Sequence, residues 1–372
     1  MVFTFSIVHN QLFLIMTKRS NLAFTFYFSF GVPMPIPTRQ IGQTNLSVTE
    51  IGFGGAPLGN LFENVAEQQA QETLHNAWQA GIRYFDTAPF YGYGQSEHRL
   101  GHFLRQQPRS EFAISTKVGR VLKATRNLDT FDKGGWIGGL PFECHFDYSY
   151  DGIMRSHEDS LQRLGLHAVD LLLIHDLDNF FFNDEQVAAH VAQLYTSGWR
   201  ALEELKSSGQ IKGVGAGLNM LGMIPRFLDM MPLDFFIVAM PYTLLDQDTL
   251  DVEFPKCAEQ GATVVIGSVF ASGILATGPI EGAGYAYAPA PEAILEKTRR
   301  IQTICQQFNV PLPAAAIQFP LAHPQVSAII PGAHKPEFIQ SNIQHYQYPI
   351  PTDLWAELKA ENLLREDAPT PH

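Results

Sequence analysis

Four residues in the first half of the chain could together move a proton to or from a substrate oxygen: Asp86, Tyr91, Lys117 and His175. A carbonyl that receives hydride at carbon must receive a proton at oxygen, so the site needs a group that holds a proton at working pH. Tyrosine is a reluctant acid, with a reference pKa of about 10. A neighbouring ammonium favours the tyrosinate, and a buried carboxylate can hold that ammonium in place.

Each of these residue types is suited to a different role in proton transfer. Tyr91 is predicted to be the general acid or base, and Lys117 and Asp86 to lower its pKa. His175 is predicted to donate a hydrogen bond that polarises the substrate oxygen. General acid–base catalysis of this kind contributes about 10²–10⁴ in rate. Holding the hydride donor or acceptor against the substrate must supply the rest.

Short apolar runs recur along the chain from residue 36 and alternate with helical patterns of 3.6-residue period. The runs predicted as strands are 51–54, 83–86, 112–116, 170–174, 213–217, 235–239, 263–267 and 327–330. The patterns predicted as helices are 67–80, 149–164, 199–208 and 291–308. We therefore predict an α/β fold, a (β/α)8 TIM barrel with long βα loops, preceded by a β-hairpin at 39–41 and 47–49.

The predicted strands also place the polar residues. Asp86 ends the second strand, Lys117 follows the third and His175 follows the fourth. In barrels of this type the chemistry gathers at the carboxyl ends of the strands, so these residues are predicted to share one rim. Residues 118–148, which include Trp136, are too long for a mere connector and indicate a lid or binding loop. A packed Ω-loop is the alternative.

Composition excludes several classes of partner and site. The chain has 372 residues, 45% of them hydrophobic, and a formal charge of −12, which disfavours nucleic acid or an anionic membrane surface as partner. Its cysteines, Cys144, Cys257 and Cys305, are too few and scattered for a disulfide framework or a zinc cluster. The histidine spacing predicts no metal site. These features fit a cytoplasmic protein, and they do not indicate an oligomeric state.

The first 33 residues differ from the rest of the chain. They are rich in Phe, Leu and Ile, and the first acidic residue is Glu50. Their basic residues follow the apolar stretch rather than precede it, unlike a signal peptide, and polar residues 9–11 interrupt any membrane span. We predict that 1–33 is an extension outside the catalytic fold and that 34–372 is a single barrel domain. A weak membrane anchor is the alternative.

Four separated motifs resemble, in order, those of the aldo-keto reductase superfamily. The passage Gly81-Ile-Arg-Tyr-Phe-Asp-Thr-Ala-Pro-Phe-Tyr91-Gly, continuing to Gly101, is similar to the signature of the second strand. Ser115-Thr-Lys117 and Leu171-Leu-Leu-Ile-His175 are similar to the motifs of the third and fourth strands, and 213–219 to that of the fifth. The resemblance implies an NAD(P)-dependent oxidoreductase with Asp86, Tyr91, Lys117 and His175 as its catalytic tetrad.

Other segments resemble one group within that superfamily, the D-threo-aldose 1-dehydrogenases, which include L-fucose dehydrogenases and pyridoxal 4-dehydrogenases. They include Gly54-Gly-Ala-Pro-Leu-Gly-Asn60, 146–152 and 315–324. This resemblance implies oxidation of an aldose of the L-fucose or D-threo type at C1 to the lactone, with Tyr91 as general base. The enzymatic alternatives are a pyridoxal 4-dehydrogenase and a general aldehyde or ketone reductase. A non-catalytic binding subunit of the same fold is the alternative of a different class, although such subunits often lose tetrad residues.

The resemblance also implies a nicotinamide cofactor, although no Rossmann fingerprint follows the first strand. Asn219 would hold the nicotinamide carboxamide. Gly267 stands where the family commonly has a stacking tyrosine, so Phe270 could supply the ring. A helix that begins near Pro336 would point its amides at a phosphate. The predicted cofactor-binding residues are Gly55, Ala56, Asn219, Ser268, Phe270, Gly332, His334, Lys335 and Asn342.

Two further positions bear on cofactor and substrate choice. Phe338 stands where NADP-dependent relatives commonly have an arginine, which slightly favours NAD, although His334 and Lys335 could partly replace that arginine. Asp176 follows His175 where many reductases have tryptophan, and its carboxylate would accept hydrogen bonds from sugar hydroxyls or from the ring substituents of a pyridine substrate. This favours a hydroxyl-rich sugar or aldehyde substrate over an apolar one. Asp176 could instead cap the next loop. The predicted substrate-binding residues are Phe90, Trp136 and Asp176.

Overall fold

The computed structural model describes Val2–Val8, Gln11–Thr17, Phe24–Phe28 and residues 35–372. The chain divides into two compact units, Met1–Pro35 and Ile36–His372. In the first unit the three strands pair antiparallel in chain order. The position predicted to start the enzyme, residue 34, lies outside the described residues, and the assignment of 1–33 to an extension stays a prediction.

Eight parallel strands form the central sheet of the second unit. They are β1 (Phe53–Gly54), β2 (Tyr84–Asp86), β3 (Ala113–Val118), β4 (Leu171–His175), β5 (Gly213–Leu218), β6 (Phe235–Val238), β7 (Thr263–Ile266) and β8 (Val326–Ile329). Each pairs in parallel with its neighbours in this order. Isolated parallel bridges join Ile51 to Ile329 and Gly54 to Gly332, which brings the first and last strands together. The predicted barrel fold is confirmed.

Helices alternate with these strands. They are α1 (Glu67–Gln79), α2 (Gln95–Leu104), α3 (Tyr150–Leu164), α4 (Asp184–Gln193), α5 (Trp199–Ser207), α6 (Met223–Met230), α7 (Glu253–Gln260), α8 (Ile274–Thr277), α9 (Glu292–Gln307), α10 (Leu312–Leu321), α11 (Pro336–Tyr346) and α12 (Thr352–Ala360). The helices at the four predicted ranges are all present. Within the described part of the chain, no helix is long and apolar enough to cross a membrane.

Local sequence signals set the ends of α3, the helix after the long loop. The Ser149 side chain accepts a hydrogen bond from the Gly152 amide, which satisfies one of the free donors of the first turn. The helix ends at Gly165, whose φ of 63° is the left-handed conformation that glycine adopts without a Cβ penalty. Leu172 and the rest of β4 follow within a few residues, so the helix returns the chain directly to the sheet.

The side chains of each strand alternate between two apolar layers. One layer fills the barrel interior with Tyr84, Leu171, Leu173, Phe235, Ile237, Val265 and Ala328. The intervening residues, such as Phe85, Leu172 and Phe236, pack outward against the helices. The predicted N-terminal hairpin, Thr38–Gln40 paired with Ser47–Thr49, adds its apolar residues to the interior layer.

The same alternation carries the polar residues inward. Asp86 is two residues after Tyr84, Lys117 is four after Ala113, and His175 is two after Leu173, so each shares the interior face of its strand. All three lie at the carboxyl ends of adjacent strands.

The long loop after β3 contains a second hairpin, Arg120–Ala124 paired with Phe142–Phe146. Beyond it, Trp136 makes an isolated antiparallel bridge with Leu61, and the Phe62 amide donates to the Gly135 carbonyl. The loop is therefore pinned to the segment that follows β1. It packs firmly and also reaches the carboxyl rim of the barrel.

Candidate active site

A buried ion pair forms the base of the site. Lys117 Nζ lies 2.7 Å from Asp86 Oδ2, and both side chains are almost fully buried. Lys117 also donates to the Thr87 carbonyl, and the Ser115 hydroxyl donates to Asp86 Oδ1 at 2.7 Å. Burial raises the pKa of Asp86, while the charge and hydrogen bond of Lys117 and the hydroxyl of Ser115 oppose that shift. These contacts hold the ammonium in one place.

Tyr91 lies directly against this pair. Lys117 Nζ is 4.5 Å from the centroid of the Tyr91 ring, and the ring of His175 is 5.8 Å away from it, edge to face. The turn that presents Tyr91 is fixed by backbone hydrogen bonds from Tyr91 to Ala88 and from Ser96 to Tyr91. The structure thus brings together the four residues that the sequence predicts to act on the proton.

The protonation of Tyr91 differs from the sequence-based expectation. Burial raises the pKa of Tyr91 well above its usual value, and the carboxylates of Asp86 and Asp176 raise it further, with Arg120 opposing them. A lowering by Lys117 was expected, but the Lys117 ammonium is bonded to Asp86 and lies over the face of the tyrosine ring. In the protein alone burial outweighs the ammonium, so Tyr91 keeps its proton at neutral pH.

His175 is held neutral. Burial lowers the pKa of His175 well below its usual value, and the cations Arg120 and Lys117 lower it further. The carbonyl of His175 accepts a hydrogen bond from the Tyr148 hydroxyl at 2.7 Å, which fixes the end of β4. A neutral imidazole carries one N–H, so His175 can donate a hydrogen bond without carrying charge.

Asp176 lines the site, but its carboxylate already has partners. Oδ2 accepts from a guanidinium nitrogen of Arg120 at 2.5 Å, and Oδ1 accepts from Asn219 Nδ2 at 2.9 Å. The predicted role of Asp176 as a free acceptor for sugar hydroxyls is therefore weakened, because its charge is compensated inside the protein. The alternative, a cap on the next loop, is not among its hydrogen bonds in the described structure.

A cavity of about 310 Å³ opens above these residues. It is lined by seven aromatic rings besides that of His175, together with small and polar residues of the rim. The predicted residues on its wall are Ala56, Phe90, Tyr91, Lys117, Trp136, His175, Asp176 and Asn219. The others on its wall are Leu61, Phe62, Gly135, Phe180, Phe181, Gly217, Leu218, Ile237, Ala239 and Tyr287. This volume is at the lower end of the range for small-molecule sites.

The remaining predicted cofactor residues lie outside this wall. Gly55 lies against the backbone of β2, since a Cβ there would lie 2.6 Å from the carbonyl oxygen of Asp86. Gly332 pairs with Gly54 at the barrel seam, where a Cβ would meet Pro57 at 2.7 Å. Asn342 is buried in α11.

The Aldo/keto reductase family model matches residues 50–362. The chain belongs to the aldo/keto reductase family. This confirms the resemblance found in the sequence motifs. It also shows that the chain is an oxidoreductase of a family that works with NAD(P)H.

Curated relatives cover nearly the same length as this aldo/keto reductase. The pyridoxal 4-dehydrogenase of Microbacterium luteolum is 42% identical over 334 residues, which cover 88% of this chain and 97% of the relative. The D-threo-aldose 1-dehydrogenase of a Pseudomonas species is 38% identical over 332 residues, covering 88% and 96%. Both belong to the group that the sequence resembles.

Solved structures support the fold of this aldo/keto reductase. The holo form of aldo-keto reductase AKR11C1 from Bacillus halodurans superposes with a TM-score of 0.69 and 24% identity, covering 89% of this chain and 97% of that one. The glycerol dehydrogenase AKR11B4 from Gluconobacter oxydans gives 0.69 and 19%, covering 90% and 97%. At this identity the likeness concerns the fold alone.

In this aldo/keto reductase, Tyr287 lines the cavity and the predicted cofactor residue Phe270 does not. Phe270 packs against the main apolar core and does not line the cavity, because the chain turns into a helical segment there. Tyr287 lines the cavity, and the centroid of its ring is 5.7 Å from that of Phe180.

Tyr287 was missed because its turn has no sequence signal. It lies at the tip of a short hairpin in which Ala286 and Tyr287 have φ of 50° and 63°. A turn of this kind normally uses Asn or Gly. The hairpin is anchored by hydrogen bonds from Tyr285 to Asp246 and from the Tyr287 amide to Ser272.

The helix predicted near Pro336 is present as α11, and the basic residues before it meet an acidic one. No side chain caps its first turn, but Pro336 has no N–H and the Phe338 amide donates to the Lys335 carbonyl. His334 Nε2 lies 2.9 Å and Lys335 Nζ 3.2 Å from the carboxylate of Glu63. Glu63 was missed, and its charge competes with any phosphate for these two residues.

Proposed function

We propose that the protein is a nicotinamide-dependent dehydrogenase that oxidises the hemiacetal carbon of a small cyclic substrate to a lactone. The observation that carries this proposal is the position of Tyr91, Lys117 and His175 on one wall of the cavity at the carboxyl rim. The names of the two curated relatives point to the same class of reaction.

Each of these residues has a definite task in the proposed reaction. Tyr91, as tyrosinate, accepts the proton of the hemiacetal hydroxyl. Lys117, fixed by Asp86, stabilises the negative charge that Tyr91 carries before the transfer. His175 donates a hydrogen bond to the same substrate oxygen and fixes its direction. The nicotinamide ring, when bound, accepts the hydride that leaves the hemiacetal carbon.

Several observations fit a dinucleotide at this rim. Gly217 leaves space on the interior face, since a Cβ there would lie 3.5 Å from Cε of Lys117 and 3.9 Å from His175. Asn219 stands beside that space with its side chain held by Asp176. The positive end of the dipole of α11, which no side chain caps, suits a phosphate group. Asn219 would hold the nicotinamide end, and α11 with Lys335 the phosphate end.

The walls of the cavity favour a flat, aromatic substrate of the pyridoxal type. Phe90, Trp136, Phe180, Phe181 and Tyr287 surround the space, and aromatic rings pair favourably with another ring face or edge. The charge of Asp176 is already compensated, so few charged acceptors remain for a polyhydroxylated sugar. We therefore place pyridoxal, as its cyclic hemiacetal, first among the candidates.

An aldose of the L-fucose or D-threo type is the second candidate. Its support is the relative named D-threo-aldose 1-dehydrogenase, and Asn219 and Asp176 remain polar points on the cavity wall. The two substrates would undergo the same change, from hemiacetal to lactone, at the same tyrosine. The two substrates differ in the chemical groups that the residues of the cavity wall would contact.

NADH formation with a substrate panel tests this proposal. We expect turnover of pyridoxal with NAD⁺ at a kcat/KM at least about tenfold above that for L-fucose, D-arabinose or L-galactose, a difference of about 1.4 kcal/mol. The reverse order would move the proposal to the aldose. If the protein binds NAD⁺ but turns over none of these compounds, the non-catalytic binding subunit becomes the better assignment.

The raised pKa of Tyr91 predicts a steep pH dependence of the oxidation. The tyrosinate is the minor form below that pKa, so its fraction grows about tenfold for each pH unit. We expect kcat/KM for oxidation to rise with a slope approaching one log unit per pH unit between about pH 7 and 9. Reduction of an aldehyde with NADH uses the protonated tyrosine and should stay flat over that range. A flat oxidation profile would contradict this assignment of the base.

Glu63 predicts a preference for NAD⁺ over NADP⁺. Its carboxylate compensates the charge of Lys335, lies 2.9 Å from His334 Nε2, and would repel a 2′-phosphate placed near Phe338. We expect Glu63→Gln to raise the NADP⁺/NAD⁺ ratio of kcat/KM about two- to fivefold, in keeping with an exposed ion pair. Glu67→Gln removes a nearby carboxylate that pairs with Arg99 and should leave the ratio unchanged. Equal ratios for wild type and Glu63→Gln would refute this role.

A further inference from the structure

Arg120 is a buried cation behind the cavity that the proposed reaction does not use. Its side chain is 3% exposed and lies 2.5 Å from Oδ2 of Asp176. The guanidinium carbon lies 4.0, 4.4 and 4.4 Å from the ring centroids of Phe90, Phe146 and Phe181. A cation taken out of water needs a partner charge, and aromatic faces add further stabilisation.

Asp176 links Arg120 to two residues of the site. Its Oδ1 accepts a hydrogen bond from Asn219 Nδ2 at 2.9 Å, while its Oδ2 lies 3.2 Å from His175 Nε2. Asp176 also has a φ of 50°, an uncommon backbone conformation that persists only where the surroundings fix it. The Asp176 amide, bonded to the Gly217 carbonyl, and the guanidinium of Arg120 provide that fixation.

We propose that Arg120 is a positioning residue of this site. It holds Asp176 so that Asn219 is oriented for the nicotinamide carboxamide and His175 remains a neutral hydrogen-bond donor. The inference rests on the proposed function in naming what Asn219 and His175 contact. Its basis in the geometry is the continuous chain of contacts from Arg120 through Asp176 to both residues.

The charges around His175 explain why Arg120 matters to it. Four groups face the His175 ring. Lys117 lies on β3, and the neutral phenol of Tyr91 lies on the turn after β2. Asp176 follows His175 in the chain, and Arg120 lies on the hairpin after β3. Lys117 is already bonded to Asp86. Without Arg120, the carboxylate of Asp176 would be the nearest uncompensated charge, and it would favour the imidazolium.

The shape of the contact calls for arginine rather than lysine. A guanidinium is planar, so it can lie on ring faces while its N–H groups meet a carboxylate in its plane. A lysine at position 120 would keep the charge but lose the planar contact with Phe90 and Phe181. Arg120→Lys therefore keeps the positive charge beside Asp176 and changes only the geometry of the contact.

The test compares NAD⁺ affinity, measured by calorimetry, with the pH profile of kcat/KM for aldehyde reduction by NADH, in which Tyr91 stays protonated and does not shape the profile between about pH 7 and 9. For Arg120→Met we expect the Kd for NAD⁺ to rise about five- to tenfold, as for the loss of one oriented hydrogen bond. We expect the acidic limb of the pH profile to move to higher pH by about one unit, because the unpaired carboxylate favours the protonated His175. Arg120→Lys should keep the limb in place and raise the Kd less.

Matched variants separate positioning from general loss of stability. Arg163→Met removes a largely buried arginine–carboxylate contact of the same length, with Glu97, away from the cavity wall, and should change neither readout. Asp176→Asn should move the acidic limb to lower pH, opposite to Arg120→Met, and still reports if Arg120→Met does not fold. An unchanged Kd and limb in folded Arg120→Met, or no opposite shift in Asp176→Asn, would overturn the inference. If the wild type turns over no substrate, the proposed function fails, while the Kd comparison still decides the role of Arg120.

Discussion

Replacing Tyr91 with phenylalanine should lower kcat for oxidation by about 10²–10⁴-fold, the usual contribution of a general acid or base. Phenylalanine keeps the ring that contacts Trp136 and faces Lys117, so the shape of the cavity wall is preserved. The hydroxyl is the group that is lost. We therefore expect the Kd for NAD⁺ to stay within about twofold of wild type, since the substitution removes transition-state stabilisation rather than binding.

A matched tyrosine makes this experiment specific. Tyr93 is two residues away in the same loop, and its hydroxyl donates to the Lys133 carbonyl rather than facing the cavity. Tyr93→Phe should retain most of the activity. If Tyr91→Phe and Tyr93→Phe lose activity equally, the proton is handled by another group, and the task assigned to Tyr91 is wrong.

Replacing Lys117 with methionine should destabilise the fold strongly and in a pH-dependent way. Removing one partner of a buried ion pair costs about 3–5 kcal/mol, because the remaining charge is left without compensation. Here the remaining group is Asp86, and burial raises its pKa. In the variant the folded protein would therefore hold a proton on Asp86 at a pH where the unfolded chain has released it.

The sign of the pH effect follows from this difference in bound protons. Stability falls with rising pH wherever the folded state binds more protons than the unfolded state. Urea denaturation of Lys117→Met should accordingly show a larger loss at pH 8 than at pH 5. Lys206→Met, which breaks a half-exposed pair of the same 2.7 Å length with Asp234, should cost at most about 1 kcal/mol. Equal losses in the two variants, or no dependence on pH, would contradict the burial of the charge on Asp86.

The barrel and the grouping of its polar rim could be predicted because both follow from strand alternation. A short parallel strand buried on both faces reads as a continuous apolar run, and the first polar residue at its end falls at the carboxyl rim. Asp86 and His175 end their strands in this way, and Lys117 comes one residue before the end of β3. The alternation of side chains along a strand is then enough to predict that all three side chains face the barrel interior.

Arg120 and Tyr287 could not be predicted by the same reasoning, because both follow irregular backbone. Gly119, with a φ of 95°, turns the chain away from the direction of β3, and a Cβ there would lie 2.2 Å from the Tyr148 ring. The side of the barrel that Arg120 faces is therefore set by that turn. Tyr287 sits in a hairpin held by distant partners such as Asp246, which no local pattern reveals.

The protonation of Tyr91 was also beyond the sequence, for a different reason. The structure brings the predicted residues together, but whether the ammonium or burial dominates the pKa of Tyr91 depends on the depth of its ring and on the direction of the Lys117–Asp86 bond. Competing terms of similar size cannot be ranked from spacing alone.

The seam between β1 and β8 affects how easily the folded protein opens locally and is attacked by proteases. β1 has two residues, and the bridges Ile51–Ile329 and Gly54–Gly332 join it to the last strand. The chain leaves one side of that seam at Ala56 and the other at His334, two of the residues that the sequence predicts to bind the cofactor. A nucleotide bound to both sides would hold this seam together and raise the resistance to local opening by mass action. Protease attack should accordingly fall first on molecules that have lost their nucleotide.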